Sequence, residues 1–114
     1  MLATEQVLAS HEAALGRQDA AEVSMHYAAD AVLIVNGHAC HGRREIAAMY
    51  ARLIEDLPDA AWRTDVAVIH EDLAYVEWAC TSALSRVDSG TDTFVVVDGL
   101  ITRQTASFRI IANN

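Results

Sequence analysis

The residue in this chain best placed to do chemistry is Asp92, a carboxylate at the head of the β-branched and aromatic run Thr93-Phe94-Val95-Val96-Val97. An ionised carboxylate buried there without a partner costs on the order of several kcal/mol, so the fold must either expose Asp92 or use it. If Asp92 sits among Phe94, Val96, Trp78 and Phe108, desolvation disfavours the anion and raises its pKa, and a neutral carboxylic acid can donate a hydrogen bond or pass on a proton. The plain reading stands beside this one: Asp92 ends a strand and accepts hydrogen bonds from Thr91, Thr93 or nearby backbone. His11, Gln104, Tyr27 and Tyr50 are the other polar groups within apolar stretches, each readable as a site group or as a hydrogen-bonded packing residue. Trp62 and Trp78 read first as core.

Metal chemistry finds little support. His26, His38, His41 and His70 lack a His-x-x-x-His pair or a carboxylate at ligand spacing, so no metal and no cofactor are expected. Cys40 and Cys80 stand far apart without a Cys-x-x-Cys spacing, and both are expected to be reduced. The chain has eight arginines, no lysine and a formal charge of −8. Phosphate binding needs concentrated cations, so nucleic acid is not an expected partner. Met1-Leu2-Ala3-Thr4-Glu5 has no basic and apolar leader character, and no apolar run nears the roughly 20 residues of a membrane span. The expectation is a cytoplasmic protein of 114 residues, folded as a single domain over 1–114.

Helical spacing dominates the first half. Val7, Leu8, His11, Ala14 and Leu15 share a 3.6-residue period between a candidate N-cap at Thr4 and a stop at Gly16. Asp19 is placed to cap a short helix carrying Val23, Met25, His26 and Tyr27. A strand over 31–35 then turns at Asn36-Gly37 into a short return strand over 38–41. The apolar positions Ile46, Ala47, Met49, Tyr50 and Leu53 predict a third helix over 43–54. Strands follow over 62–70, 73–85, 91–97 and 100–111, with turns at Glu71-Asp72, Asp88-Ser89-Gly90 and Asp98-Gly99. Helices followed by long strands define an α+β domain, and a twisted sheet of that length can wrap its helices as a cone.

Strand side chains alternate between faces, so Ala74, Val76, Trp78, Cys80 and Ser82 are assigned inward, and Tyr75, Glu77, Ala79 and Thr81 outward. On the last strand Gln104, Ala106, Phe108 and Ile110 are the less polar set. A strict two-residue turn at Asp98-Gly99 puts Thr105 opposite Asp92 and turns Gln104 outward. Polarity demands the reverse, which predicts a β-bulge at Thr102 to Arg103.

The helix with Ala13-Ala14-Leu15 before Asp19, the run Tyr27 to Val32, Gly42 at a helix start, and Asp92-Thr93-Phe94 through Asp98-Gly99-Leu100-Ile101 together resemble the NTF2-like superfamily. The style is that of its small SnoaL-like and ketosteroid-isomerase-like members. This resemblance spans nearly the whole chain and implies an α+β cone, a curved, mostly antiparallel (mixed) sheet around three helices of the N-terminal half. Matched to ketosteroid isomerase, His11 falls on the oxyanion-hole tyrosine, Tyr27 and Tyr50 on supporting tyrosines, and Asp92 on the protonated aspartic acid of the oxyanion hole. The general-base aspartate falls on Val35, which takes no proton. Limonene-epoxide hydrolase chemistry needs a second carboxylate and an inward arginine, and ranks lower.

The resulting expectation is a small hydrophobic organic ligand, carbonyl-bearing or polycyclic, in an apolar pocket lined by Tyr27, Tyr50, Trp78, Phe94, Gln104 and Phe108. Asp92 and His11 are the candidate catalytic pair for acid–base chemistry of the isomerase, cyclase or lyase type. The alternative is a non-catalytic ligand-binding or protein-interaction module with Asp92 structural. The resemblance also implies a homodimer through the convex sheet face, formed by Tyr75, Glu77, Ala79, Thr81, Ala83, Arg103 and Arg109.

Overall fold

The computed structural model describes residues 3–114; the leaderless reading of Met1 and Leu2 falls outside them. Helix α1 (Thr4–Gly16) buries Val7, Leu8, His11 and Ala14 along one stripe. Its N-cap is Ala3 rather than Thr4; Ala3 N–H donates to Gln6 Oε1 at 2.9 Å. Thr4 instead donates its hydroxyl to Glu71 O at 2.7 Å, tying the helix to a distant turn. Helix α2 (Ala20–Ser24) is capped as expected, Asp19 accepting from Glu22 N–H at 3.0 Å. It ends before Met25 to Tyr27, because Tyr27 already belongs to strand β1 (Tyr27–Val35). That strand begins four residues earlier than its apolar run. Strand β2 (His38–His41) leads into helix α3 (Gly42–Asp56), which buries Ile46, Tyr50 and Leu53.

Strands β3 (Ala61–His70), β4 (Leu73–Thr81), β5 (Ser85–Val97), β6 (Leu100–Ser107) and the short β7 (Ile111–Ala112) complete the chain. The main sheet runs β2-β1-β6-β5-β4-β3, with β7 on β5; among the described residues only β1 and β6 pair in parallel. The result is the expected α+β cone, a curved, unclosed mixed sheet around three helices. α3 packs on β1 and α2, while α1 lies across β3 and β5. Asn36-Gly37 and Asp98-Gly99 both hold positive φ at their two central residues, the condition for a tight hairpin that matches strand twist.

The predicted turn at Asp88-Ser89-Gly90 is absent. Those residues lie inside β5, where the register passes from Trp78↔Gly90 to Cys80↔Val87, so that Asp88 and Ser89 together oppose Ala79 as a bulge. The reversal comes at 82–84, closed by Ser82 N–H on Ser85 O at 3.0 Å and Ser82 Oγ on the same carbonyl at 2.7 Å. Gly90 is required because the Trp78 ring lies on it: a Cβ there would sit 2.4 Å from Trp78 Cε2. The last predicted strand likewise breaks, ending at Ser107 and resuming at Ile111.

The bulge expected in the Asp98-Gly99 hairpin is present. Val96 pairs with Ile101 but Val95 with Arg103, leaving Thr102 as the extra residue. Phe94 then faces Gln104 and Asp92 faces Ala106, so Gln104 is buried on the inner face.

Candidate ligand site

The inner face of the sheet and the helices enclose a cavity of about 330 Å³. From α1 it receives Leu8, His11, Glu12 and Leu15, spaced along a single helix face. Helix α3 adds Met49, Tyr50 and Leu53. The inner rows of the strands add Trp62 and Thr64 from β3, Val76 and Trp78 from β4, and Asp92 and Phe94 from β5. Gln104 and Ala106 follow from β6, with Phe108 just beyond it. Asn36 anchors that last segment, accepting from Phe108 N–H through Oδ1 at 2.8 Å while its own N–H donates to Ala106 O at 2.9 Å.

Seven of the eight expected residues therefore line one cavity: Asp92, His11, Tyr50, Trp78, Phe94, Gln104 and Phe108. Tyr27 does not. It is fully buried behind the wall, with its hydroxyl between Tyr50 Oη at 2.7 Å and Gln104 Oε1. Tyr27 starts β1, so its ring reaches the site only through Tyr50 and Gln104. Sequence reasoning also assigned Trp62 to the core, whereas it lines the cavity opposite Cys80 in the pairing. The signal was available: on β3, Trp62 and Thr64 alternate with polar neighbours at period two.

Two polar groups of opposite habit face this space. His11 is buried against Tyr27, Tyr50 and Phe94, ring centroids 5.9, 5.7 and 5.6 Å away. Burial, reinforced by the charge of His26, lowers its pKa to about 3, so the imidazole is neutral at physiological pH. Its Nε2 meets Tyr50 Oη at 3.5 Å, and Nδ1 is enclosed without a partner. Burial above all raises both tyrosines, so their hydroxyls stay protonated and available as donors.

Asp92 is half-buried, and desolvation pushes its pKa up to about 7. The nearby Trp78 indole N–H opposes that rise, yet no hydrogen bond is formed: Trp78 Nε1 and Asp92 Oδ1 are both enclosed and unpartnered. Near neutrality Asp92 thus exists in both protonation states, the condition for a group that gives or takes a proton. Val35, on the base position of the isomerase pattern, lines the cavity as a buried apolar wall. Glu12 also lines it, but from an exposed position, with Oε1 accepting from Thr64 Oγ1 at 3.3 Å. Among the described residues no group of three or more His, Cys, Asp or Glu could hold a metal ion.

A curved, unclosed mixed sheet wrapped around three helices is the NTF2-like fold. The chain belongs to the SnoaL-like domain family, whose pattern matches residues 7–104. No curated protein matches the sequence. Among solved structures, a candidate polyketide cyclase of Sinorhizobium meliloti is 20% identical, with a TM-score of 0.77 and coverage of 89% of this chain and 93% of that one. A candidate ketosteroid isomerase of Kribbella flavida is 21% identical, with a TM-score of 0.74 over 93% and 77% of the two chains. A protein of ketosteroid-isomerase-like fold from Catenulispora acidiphila, in complex with trimethylamine, is 16% identical, with a TM-score of 0.75 over 88% and 82%. At such identities the likeness is one of fold.

Proposed function

We propose that this SnoaL-like chain binds a small, largely apolar organic molecule in its cavity and that Asp92 is the acid or hydrogen-bond donor that engages it. The observation that carries this reading is a carboxyl with a pKa near 7 lining a cavity of about 330 Å³, a volume within the range of small-molecule sites. His11 and Tyr50 would meet the same ligand oxygen, and Gln104, held by Tyr27, would keep Tyr50 in place. The chemistry that fits is proton transfer on a carbonyl-bearing or polycyclic substrate, with isomerisation or cyclisation as its outcome. That the Catenulispora protein of this fold takes up a small organic molecule supports the small-molecule class.

The test is binding of a bicyclic enone, followed by its absorption band, to the protein and to Asp92→Asn. Donation by Asp92 predicts at least tenfold weaker binding and loss of any turnover in the variant. Equal binding and equal turnover would leave Asp92 with no role in the site.

A second reading, a ligand-binding module without turnover, is favoured by Val35, because among the described residues no second enclosed carboxylate lines the cavity as a base. Under it, Asp92 is structural, the enone binds equally well to Asp92→Asn, and the ligand emerges unchanged. A homodimer through the convex sheet face belongs to both readings.

A further inference from the structure

One corner of the cavity wall is aromatic in a way the acid–base reading does not use. Trp78 forms its middle panel, with its ring centroid 5.5 Å from that of Trp62 and 5.4 Å from that of Phe108, both at an interplanar angle of 56°. Rings tilted in this manner are neither stacked nor edge-on, and all three line the cavity. One face of Trp78 rests on the backbone at Gly90, so the opposite face is the one turned toward the cavity. Both indole nitrogens are enclosed, so the surface the tryptophans offer a ligand is carbon and π-cloud rather than N–H. A carbonyl or carboxylate would find no donor there.

The charges around the cavity have one sign. Its acids are Asp92 and Glu12, its histidine is neutral, and its arginine, Arg63, is already paired with Asp65 at 2.6 Å. An aromatic corner beside an uncompensated carboxyl matches a cation whose charge is spread over alkyl groups, which loses little hydration on entry and is attracted by the ring faces.

We propose that Trp62, Trp78 and Phe108, with Asp92 as countercharge, seat an alkylated ammonium group, so that the molecule this cavity accepts is a tertiary or quaternary amine with an apolar body. This rests on the cavity reading above for the hollow and for Asp92 as the group that engages the ligand, and it replaces hydrogen-bond donation to a ligand oxygen by charge pairing with an ammonium. With the cation bound, Asp92 stands as the carboxylate and its proton passes to solvent.

The test compares phenyltrimethylammonium with tert-butylbenzene, which has the same shape and no charge, by chemical-shift titration of the Trp62 and Trp78 indole N–H signals. An unspecialised apolar cavity prefers the neutral molecule. The proposed seat binds the cation at least tenfold more tightly. Trp62→Leu and Asp92→Asn each then weaken cation binding at least fivefold more than they weaken tert-butylbenzene binding, and an unchanged far-ultraviolet circular dichroism spectrum shows that the variants remain folded. If tert-butylbenzene binds as tightly as the cation, the ammonium seat is overturned and the cavity reading survives. If neither probe moves the indole signals and the enone also fails to bind, both fall.

Discussion

Asp92 and His11 share one cavity yet are displaced in opposite directions by the same cause, removal from water. For Asp92 the folded pKa of about 7 lies above its ordinary value of 3.8, so the folded chain holds a proton that the unfolded chain has released. That contribution is fully present below pH 3.8 and is lost as pH rises to about 7. His11, lowered from 6.5 to about 3, acts inversely: its contribution is present above pH 6.5 and is lost as pH falls toward 3. Between about pH 4 and 6.5 the two slopes oppose each other, each at most about 1.4 kcal/mol per pH unit. Asp92→Asn should therefore gain stability relative to the parent as pH rises through this window, reaching about 2 kcal/mol at pH 8 once partial exposure is allowed for. His11→Gln should lose stability relative to the parent over the same interval. Urea denaturation at pH 4, 5, 6, 7 and 8 measures both, and parallel profiles for all three proteins would mean that neither group is shifted.

Elements position these groups through two irregularities in the sheet. The bulge at Thr102 absorbs one residue, so that Gln104 and Asp92 share the inner face, and the bulge at Asp88-Ser89 brings Gly90 under Trp78. In a structure this closely packed, a methyl group added at Gly90 must displace the indole, since ring and backbone cannot both stay. Gly90→Ala is expected to lower stability by about 1–3 kcal/mol and to shift the Trp78 indole N–H resonance, and an unchanged spectrum would show that the ring does not lie there. Deleting Thr102 should be more severe, because a one-residue slip turns the inner side chains of β6 beyond it outward and exposes Gln104 while stranding Tyr27.

At the scale of the whole molecule, the convex face of the sheet exposes several large apolar side chains. Val68 is 59% exposed, Leu73 46%, Ile34 44%, Val66 38% and Tyr75 37%. The pairings Val66↔Glu77 and Val68↔Tyr75 place four of these on the same side as Glu77, toward the β3–β4 end. We propose that the dimer face expected from the sequence lies at this end of the sheet. Ala79, assigned there by alternation, is buried, and Glu77 accepts from Tyr75 Oη at 2.7 Å rather than waiting for an arginine. An apolar patch of this extent is the kind that proteins cover. Sedimentation should show a dimer for the parent chain and a monomer for Val68→Arg, whereas a monomeric parent would remove the interface.

What the sequence determined by itself is whatever repeats locally. The period of 3.6 set the inner faces of α1 and α3, and the period of two put Val76, Trp78, Asp92 and Phe94 on one surface. Polarity set against turn geometry located the Thr102 bulge, because a buried amide and a two-residue hairpin admit one solution. Tertiary structure decided depth and neighbours. Tyr27 stands behind Tyr50 because β1 runs parallel beside β6, a pairing between segments about 70 residues apart that no local pattern encodes. Asp88-Ser89-Gly90 has the composition of a turn and became a bulge because Trp78, ten or more residues earlier, needed room on that strand. Whether the aromatic residues filled the hollow or bordered it depended on ring tilts set by all the elements at once, and they left it open.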